Sequence, residues 1–197
     1  MTPIEIGRLL RAGTAGFTAG CRVPQLQAPA FGSLVRAPLE QGYQVYGLIH
    51  DIRIDDDGLV RQLVTAENVS EEVVKDNRER RIVPVEMSVL SVGYEQNDRL
   101  HHLLPPRPPL SLDLIYLCSE SEIVKFTSAG RFGYFRHIIH AKEIPVADVL
   151  AAHIQHASAA HKQDGWTNHA LQELITLLRD DYPTLMAVLG ALSDVPA

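Results

Sequence analysis

The sequence has no surplus of basic residues, and this argues against nucleic-acid binding by the chain alone. It contains 18 Lys and Arg against 24 Asp and Glu, which gives a formal net charge of −6. Residues 1–144 carry 16 basic and 18 acidic side chains, whereas residues 145–197 carry 2 and 6. Because a protein that neutralises several phosphates needs a basic surplus, binding to DNA or RNA is disfavoured.

Signals for export, membrane insertion and disulfide bonding are also missing. The first residues, Met1–Glu5, lack the basic start and the apolar run of a signal peptide. No apolar stretch reaches the roughly 18–20 residues that a membrane span requires. The two cysteines, Cys21 and Cys118, are far apart and have no metal-ligand spacing, so we expect two reduced, buried thiols. The expected location is the cytoplasm, with no membrane partner.

Motifs for several kinds of catalysis are absent too. There is no Gly-x-x-x-x-Gly-Lys-Ser/Thr loop to hold a triphosphate, and no Gly-x-Ser-x-Gly turn to activate a serine. Residues 55–58, Asp-Asp-Asp-Gly, lack the alternating spacing and the distal Glu of a calcium loop, so they are read as a solvated hairpin turn. We therefore expect a protein that is not an enzyme and that carries no cofactor.

The first two thirds of the chain show the pattern of short strands. Residues 4–23 predict two strands around a Gly-rich turn, with glycines that mark bulges and sharp bends. Residues 44–54 predict a strand with Leu48 and Ile52 on one face and Ile49 on the other, followed by a return strand at 59–65. Asn68 and Glu71 form a capping box that opens a helix to about residue 80. Further strands are predicted at 32–38, 83–94, 99–104, 112–118 and 123–126.

The pattern changes near Pro145, where apolar residues begin to recur at three and four positions. Three helices are predicted, beginning near residues 146, 168 and 183. Their apolar stripes are narrow, so we expect them to pack on the barrel or on another chain. The predicted fold is α+β: a small β-barrel of six to eight strands with one inserted helix, residues 1–144, followed by a three-helix tail, residues 145–197.

Four local patterns in residues 4–126 appear in an order that resembles the HAS barrel, a domain shared by HerA-type DNA translocases and rotary ATP synthase subunits. The patterns are Ile6–Leu10, Phe31–Val35, Val45–Ile52, and the proline-rich connector Leu104–Pro109 that leads into Leu114–Leu117. A PRC-type or other translation-type small barrel is the closest competing fold.

The resemblance implies a docking module rather than a motor. A HerA-type protein continues into an ATPase domain with a phosphate-binding loop, and this chain has no such loop, so nucleotide hydrolysis does not carry over. We expect a non-enzymatic protein that assembles with itself or with a ring ATPase or nuclease involved in DNA processing.

Two segments are candidate binding surfaces. Arginines and aromatic residues interleave in residues 131–136, where they would stack on bases or grip an acidic partner. The alternative, which we favour, is that two of these rings wedge the junction between barrel and tail. Arg107, in its proline frame, would dock a partner or belong to a packed connector. The candidates are Arg107, Arg131, Phe132, Tyr134, Phe135 and Arg136.

Histidine pairs leave open a different function. His137 with His140, and His153 with His156, have a spacing that lets two imidazoles share a metal on a helix. A third ligand would have to come from elsewhere in the fold, and His153 also fits a buried, hydrogen-bonded core position. A metal-binding protein or hydrolase is therefore one alternative, and a nucleic-acid-binding accessory protein is another.

Overall fold

The computed structural model describes residues 3–24, 29–54, 65, 70–72, 75, 82–162 and 165–194. Seven strands and five α-helices have their bounds within these residues. The strands are β1 (Ile4–Ala12), β2 (Gly16–Pro24), β3 (Leu34–Pro38), β4 (Tyr43–Ile54), β5 (Ile82–Gln96), β6 (Arg99–His101) and β7 (Leu114–Leu117). The helices are α1 (Glu120–Ser128), α2 (Phe135–Ile139), α3 (Val146–His161), α4 (Trp166–Leu177) and α5 (Tyr182–Asp194).

Six strands close into an antiparallel barrel in the order β2-β1-β7-β3-β4-β5, and β2 pairs with β5 to complete the ring. The seventh strand, β6, folds back on β5 and pairs with it antiparallel. The two strands are joined by a tight turn at Asn97 and Asp98, which both have positive φ. The predicted class is confirmed: the fold is α+β, with an N-terminal barrel and C-terminal helices. Of the predicted inserted helix, residues 71, 72 and 75 are described and helical, and the return strand 59–65 lies outside the described residues except for Thr65, which is helical.

Bulges let the barrel close. In β1 the register shifts between Glu5 and Gly7 and again between Leu9 and Arg11. Gly7 has a φ of 152°, and a Cβ there would lie 2.6 Å from the carbonyl oxygen of Gly20. No other residue fits at this position without moving the neighbouring strand. A bulge at a glycine is what the glycines of this region predicted.

Strand β4 is buried on both faces, and here the predicted alternation is wrong. A bulge at residue 50 adds one residue to β4, and a second bulge, opposite Tyr46 and Gly47, adds Val92 to β5. As a result, Ile49 and Ile52 both pack in the barrel interior, whereas Leu48 packs outside the barrel against the helices. A bulge reverses the face of every later residue, and a strict two-residue period cannot anticipate that reversal.

Helix α1 replaces the strand predicted at residues 123–126. Its first turn is closed by a capping box: the Ser119 hydroxyl accepts a hydrogen bond from the Glu122 amide, and the Glu122 carboxylate accepts one from the Ser119 amide at 2.8 Å. The helix is tied to the outside of the barrel by two ion pairs, Arg36 with Glu122 at 2.6 Å and Lys125 with Glu95 at 2.5 Å.

A second core joins the barrel's outer face to the helices, as expected for a tail with narrow stripes. Three barrel strands supply Leu34, Leu48 and Val92 to this core. The helices and Tyr134, the residue before α2, supply the rest: Phe126, Tyr134, Phe135, Ile138, Val149, Leu150, Ile154, Trp166, Leu174 and Val188. The domain boundary at residue 144 stays a prediction, since α1 and α2 precede it and the shared core spans it. Within the described part of the chain, no helix is long and apolar enough to cross a membrane.

Candidate functional site

A cleft of about 1390 Å³ opens between the outer face of the barrel and the segment that joins α2 to α3. Strands β1, β2, β4 and β5 form one side, and residues 136–145 form the other. Pockets for small molecules usually measure roughly 300–1,000 Å³. The cleft is larger than that range and open, so its size suits a segment of a macromolecule.

A polar row crosses the barrel side of the cleft. Strand register places Arg11 opposite Thr18, Thr18 opposite Ser88, and Ser88 opposite Asp51. Directly opposed residues share one face of a sheet, so these four side chains lie together on the outside of the barrel. Arg11 donates from Nε to the Thr18 hydroxyl at 3.2 Å, and Arg53 donates from Nε to the Asp51 carboxylate at 2.8 Å.

The turn between β1 and β2 is held firmly at the edge of this row. Gly13 donates its amide hydrogen to the Gly16 carbonyl at 2.8 Å, and Ser91 donates to the Ala15 carbonyl at 2.9 Å. A Cβ on Gly16 would lie 2.5 Å from the Val89 carbonyl oxygen. The turn therefore needs glycine in order to approach β5 this closely, and it gives the cleft a fixed rim.

The helical side of the cleft is anchored on one backbone carbonyl. The His102 carbonyl accepts hydrogen bonds from the Arg136 guanidinium at 2.5 Å and from His137 Nε2 at 3.1 Å. Burial lowers the pKa of His137, and the neighbouring Arg136 and His140 lower it further against the effect of the carbonyl. On the barrel side, burial lowers the pKa of His50, and the nearby Asp51 carboxylate only partly offsets this. Both imidazoles are therefore neutral at pH 7.

The permanent charges of the cleft are mostly positive. Its lining holds four cationic side chains, Arg11, Arg53, Arg136 and Lys142, against two carboxylates. The whole chain has a formal net charge of −6. A concave site with an excess of one sign of charge concentrates ligands of the opposite sign. The cleft is thus a basic, partly apolar groove on an acidic protein, and its chemistry suits a segment with carboxylates.

The aromatic residues of segment 131–136 lie inside the protein and not in this cleft. Tyr134 and Phe135 are fully buried, and Phe132 packs 5.5 Å from the Trp166 ring between centroids. The backbone reaches this arrangement through a left-handed turn, in which Gly130, Arg131 and Phe132 all have positive φ. The rings join the barrel to the tail, as in the packing alternative, while Arg131 stays exposed and Arg136 reaches the cleft.

Arg107 lies away from the cleft, in the proline-rich connector. Its backbone carbonyl accepts a hydrogen bond from the Tyr43 hydroxyl at 2.9 Å, and its guanidinium carbon lies 5.8 Å from the centre of that ring. Tyr43 belongs to the barrel's interior cluster. The connector is therefore packed onto the barrel at this point, which is the second of the two alternatives for Arg107.

The two histidine pairs are not brought together. His153 is fully buried and contacts the Tyr134 hydroxyl at 3.0 Å, and His156 donates from Nε2 to the Phe31 carbonyl at 3.2 Å. His140 lines the cleft beside His137. Among the described residues, no group of three or more His, Cys, Asp or Glu side chains is arranged to hold a metal ion.

Most of the charged side chains of the cleft carry no motif that marks them in the sequence. Arg11 lies on β1, Arg53 on β4 and Lys142 in the α2–α3 segment. The one sequence feature that could have marked any of them is the outward position of Arg11 near the end of its strand. Comparison of the sequence with models of known protein families gives no match, and comparison with curated protein sequences gives none either.

Proposed function

We propose that this chain is a non-enzymatic interaction protein that docks an acidic segment of a protein partner in the cleft. The observation that carries the proposal is the basic lining of this cleft in an acidic chain. The partner class we propose is a ring ATPase or nuclease involved in DNA processing, and the place of action is the cytoplasm.

A barrel of HAS type is part of the proposal. The closed ring of six antiparallel strands is compatible with it. Of the motifs that carry the resemblance, Val45–Ile52 lies within β4, and the proline-rich connector leads into β7. Helices follow β7, at the position where a HerA-type protein would continue into its motor. An assembly role for the barrel follows from this likeness.

The burial of the aromatic rings in segment 131–136 favours a protein partner over nucleic acid. Binding of single strands usually combines a basic groove with exposed rings on which bases stack. Tyr134 and Phe135 are buried, and Phe132 is packed against Trp166, so this segment offers no stacking platform. Exposed Leu104 and half-buried Ile144 instead give the cleft apolar surface, which suits a peptide with both acidic and apolar residues.

Site-specific photo-crosslinking tests the proposal in cells of the source organism. A photoreactive amino acid replaces Leu104 in the cleft, and the control places it at Leu110, which is exposed outside the cleft. We expect one protein to be captured from position 104 alone, through an acidic peptide. The adduct should be reduced by Lys142→Glu but not by Arg99→Glu, a matched charge reversal outside the cleft.

Three outcomes would contradict this function. Equal capture from both positions would show that the cleft is not selective. A basic captured peptide would contradict the charge argument. Adducts with nucleic acid from position 104, lost on reversal of Lys142, would support the accessory nucleic-acid role in its place.

A further inference from the structure

Three imidazoles line the cleft in addition to its permanent charges. His50 lies on β4, in the barrel side, whereas His137 lies on α2 and His140 directly after it, in the helical side. A segment docked in the cleft would therefore lie between imidazoles of both sides. Histidine is the side chain whose charge normally changes between pH 5 and pH 8, so the charge of this site can change with pH.

The surroundings of these rings oppose a positive charge on them in the free chain. Burial lowers the pKa of His50 and of His137, and the Arg136 guanidinium lowers that of His137 further. His137 already donates from Nε2 to the His102 carbonyl at 3.1 Å, so Nδ1 is the nitrogen that accepts an added proton. The charged groups that share the lining, from every element that forms it, are two carboxylates and four cations: Asp51, Glu143, Arg11, Arg53, Arg136 and Lys142.

An acidic occupant would reverse this balance. Once its carboxylates pair with Arg136 and Lys142, these cations no longer oppose a proton on the neighbouring rings. A carboxylate within about 4–6 Å of an imidazole also favours the charged form directly. An apolar occupant would act in the opposite direction, because it would bury the rings further and lower their pKa values. The direction of a pH effect on binding therefore reports which side chains meet the rings.

We propose that the cleft takes up protons from solution when it binds an acidic segment, so that docking strengthens under mildly acidic conditions. The groups that take up the protons are His50, His137 and His140. This regulation rests on the proposed function, because it requires an occupant that carries carboxylates.

The sign and the size of the effect follow from proton linkage. The complex binds more protons than the free chain, so a lower pH favours the complex. At pH 7.5 little protonation occurs in either state, and the affinity should change little above this pH. Each unit by which docking raises the pKa of one ring makes binding up to about tenfold tighter at low pH. We therefore expect binding at pH 6 to be at least about threefold tighter than at pH 7.5.

Isothermal titration calorimetry of the full chain tests the proton uptake directly. The probe is a synthetic peptide of Asp, Leu and Ser residues, titrated at pH 6.5 into the protein in two buffers with different enthalpies of ionisation. The difference between the observed enthalpies gives the number of protons taken up, and we expect a positive number. The aspartates of the probe titrate near pH 3.9 and stay charged, so the protons bind to the protein. The fluorescence of Trp166, in the shared core, shows at each pH that the chain is folded.

Replacement of the histidines identifies the groups that take up the protons. In the triple variant His50→Gln, His137→Gln and His140→Gln, the ratio of the affinities at pH 6 and pH 7.5 should fall to about one, with no proton uptake. His169→Gln, on the exposed face of α4 and outside the cleft, should retain both. If the triple variant fails to fold, the two-buffer measurement on the wild type still decides the proposal.

The outcomes separate this inference from the function on which it rests. Binding of the peptide without proton uptake, binding with proton release, or uptake that persists in the folded triple variant would overturn the inference and leave the docking function standing. A peptide that binds at neither pH would contradict the proposed function as well. A control peptide with Asn in place of every Asp should bind more weakly and take up no protons.

Discussion

Buried His153 is expected to make the fold sensitive to mild acid. Its imidazole lies within the helical core, where Nε2 contacts the Tyr134 hydroxyl. Burial, and to a smaller extent the neighbouring His156, lower the pKa of His153 to about 3 despite an opposing contact with the Gly32 backbone. In the unfolded chain the same group titrates near 6.5. The unfolded state therefore binds the proton first as the pH falls, and stability declines between about pH 6.5 and pH 3.

The size of this effect follows from the difference in proton binding. At pH 7.5 the imidazole is neutral in both states, so it contributes almost nothing. At pH 5 it is protonated in the unfolded chain alone, and this lowers the free energy of unfolding by about 2 kcal/mol. His50, His102 and His137 also have lowered pKa values, chiefly because they are buried, and they add to the loss in the wild type.

The variant His153→Gln isolates the contribution of this side chain. Glutamine does not titrate, and its amide can still bond the buried Tyr134 hydroxyl. Urea unfolding is followed by the fluorescence of Trp166, the single tryptophan, which lies in the same core. Between pH 7.5 and pH 5, the variant should lose about 2 kcal/mol less than the wild type. His169→Gln, on the exposed face of α4, is the control. Equal pH dependence in wild type and His153→Gln would refute the reasoning.

Three further substitutions test other parts of the fold. Lys125→Met leaves the buried Glu95 carboxylate without its ion-pair partner. Because Lys125 is half exposed, we expect the free energy of unfolding to fall by only about 1–2 kcal/mol, measured in urea at pH 7. An unchanged urea midpoint would contradict this. Gly16→Ala forces a methyl group against the Val89 carbonyl. The free energy of unfolding, measured by thermal unfolding, should therefore fall by about 2–3 kcal/mol. An unchanged stability would show that the β1–β2 turn is not held against β5. Arg131→Gly relieves the strain of a non-glycine residue at positive φ, so it should stabilise the protein by about 0.5–1 kcal/mol in urea unfolding. A loss of stability would show that the arginine side chain has a structural role.

The sequence was sufficient for most strands and for the tail helices, because each has a local pattern. The main error in secondary structure was α1, where the short apolar run of residues 123–126 was read as a strand. The capping box of Ser119 and Glu122 was the better signal, since it specifies how the chain enters a helix. The two faces of β4 could not be assigned, because its bulge at residue 50 depends on the curvature of the closed barrel.

The cleft could not be predicted because no part of it is local in sequence. Arg11 and Lys142 become neighbours only when the barrel has closed and the helices have docked on it. Arg136 was identified from its aromatic surroundings, yet it reaches the cleft because the His102 carbonyl holds its guanidinium. Residues that act together across distant elements leave no periodic trace in a single sequence.

The composite outer face of the barrel also imposes an order on folding. Leu34, Leu48 and Val92 come from three strands, so the surface on which the helices dock exists only after β3, β4 and β5 lie side by side. Pairing of strands that are distant in sequence is slow, and it must precede the docking of helices that form quickly by themselves. During synthesis, the strands emerge before the helices, since β7 ends at Leu117 and the last helix ends at Asp194. A nascent barrel would expose this apolar face until the helices have been synthesised, at about 5–20 residues per second, and for that time it is open to aggregation or to a chaperone.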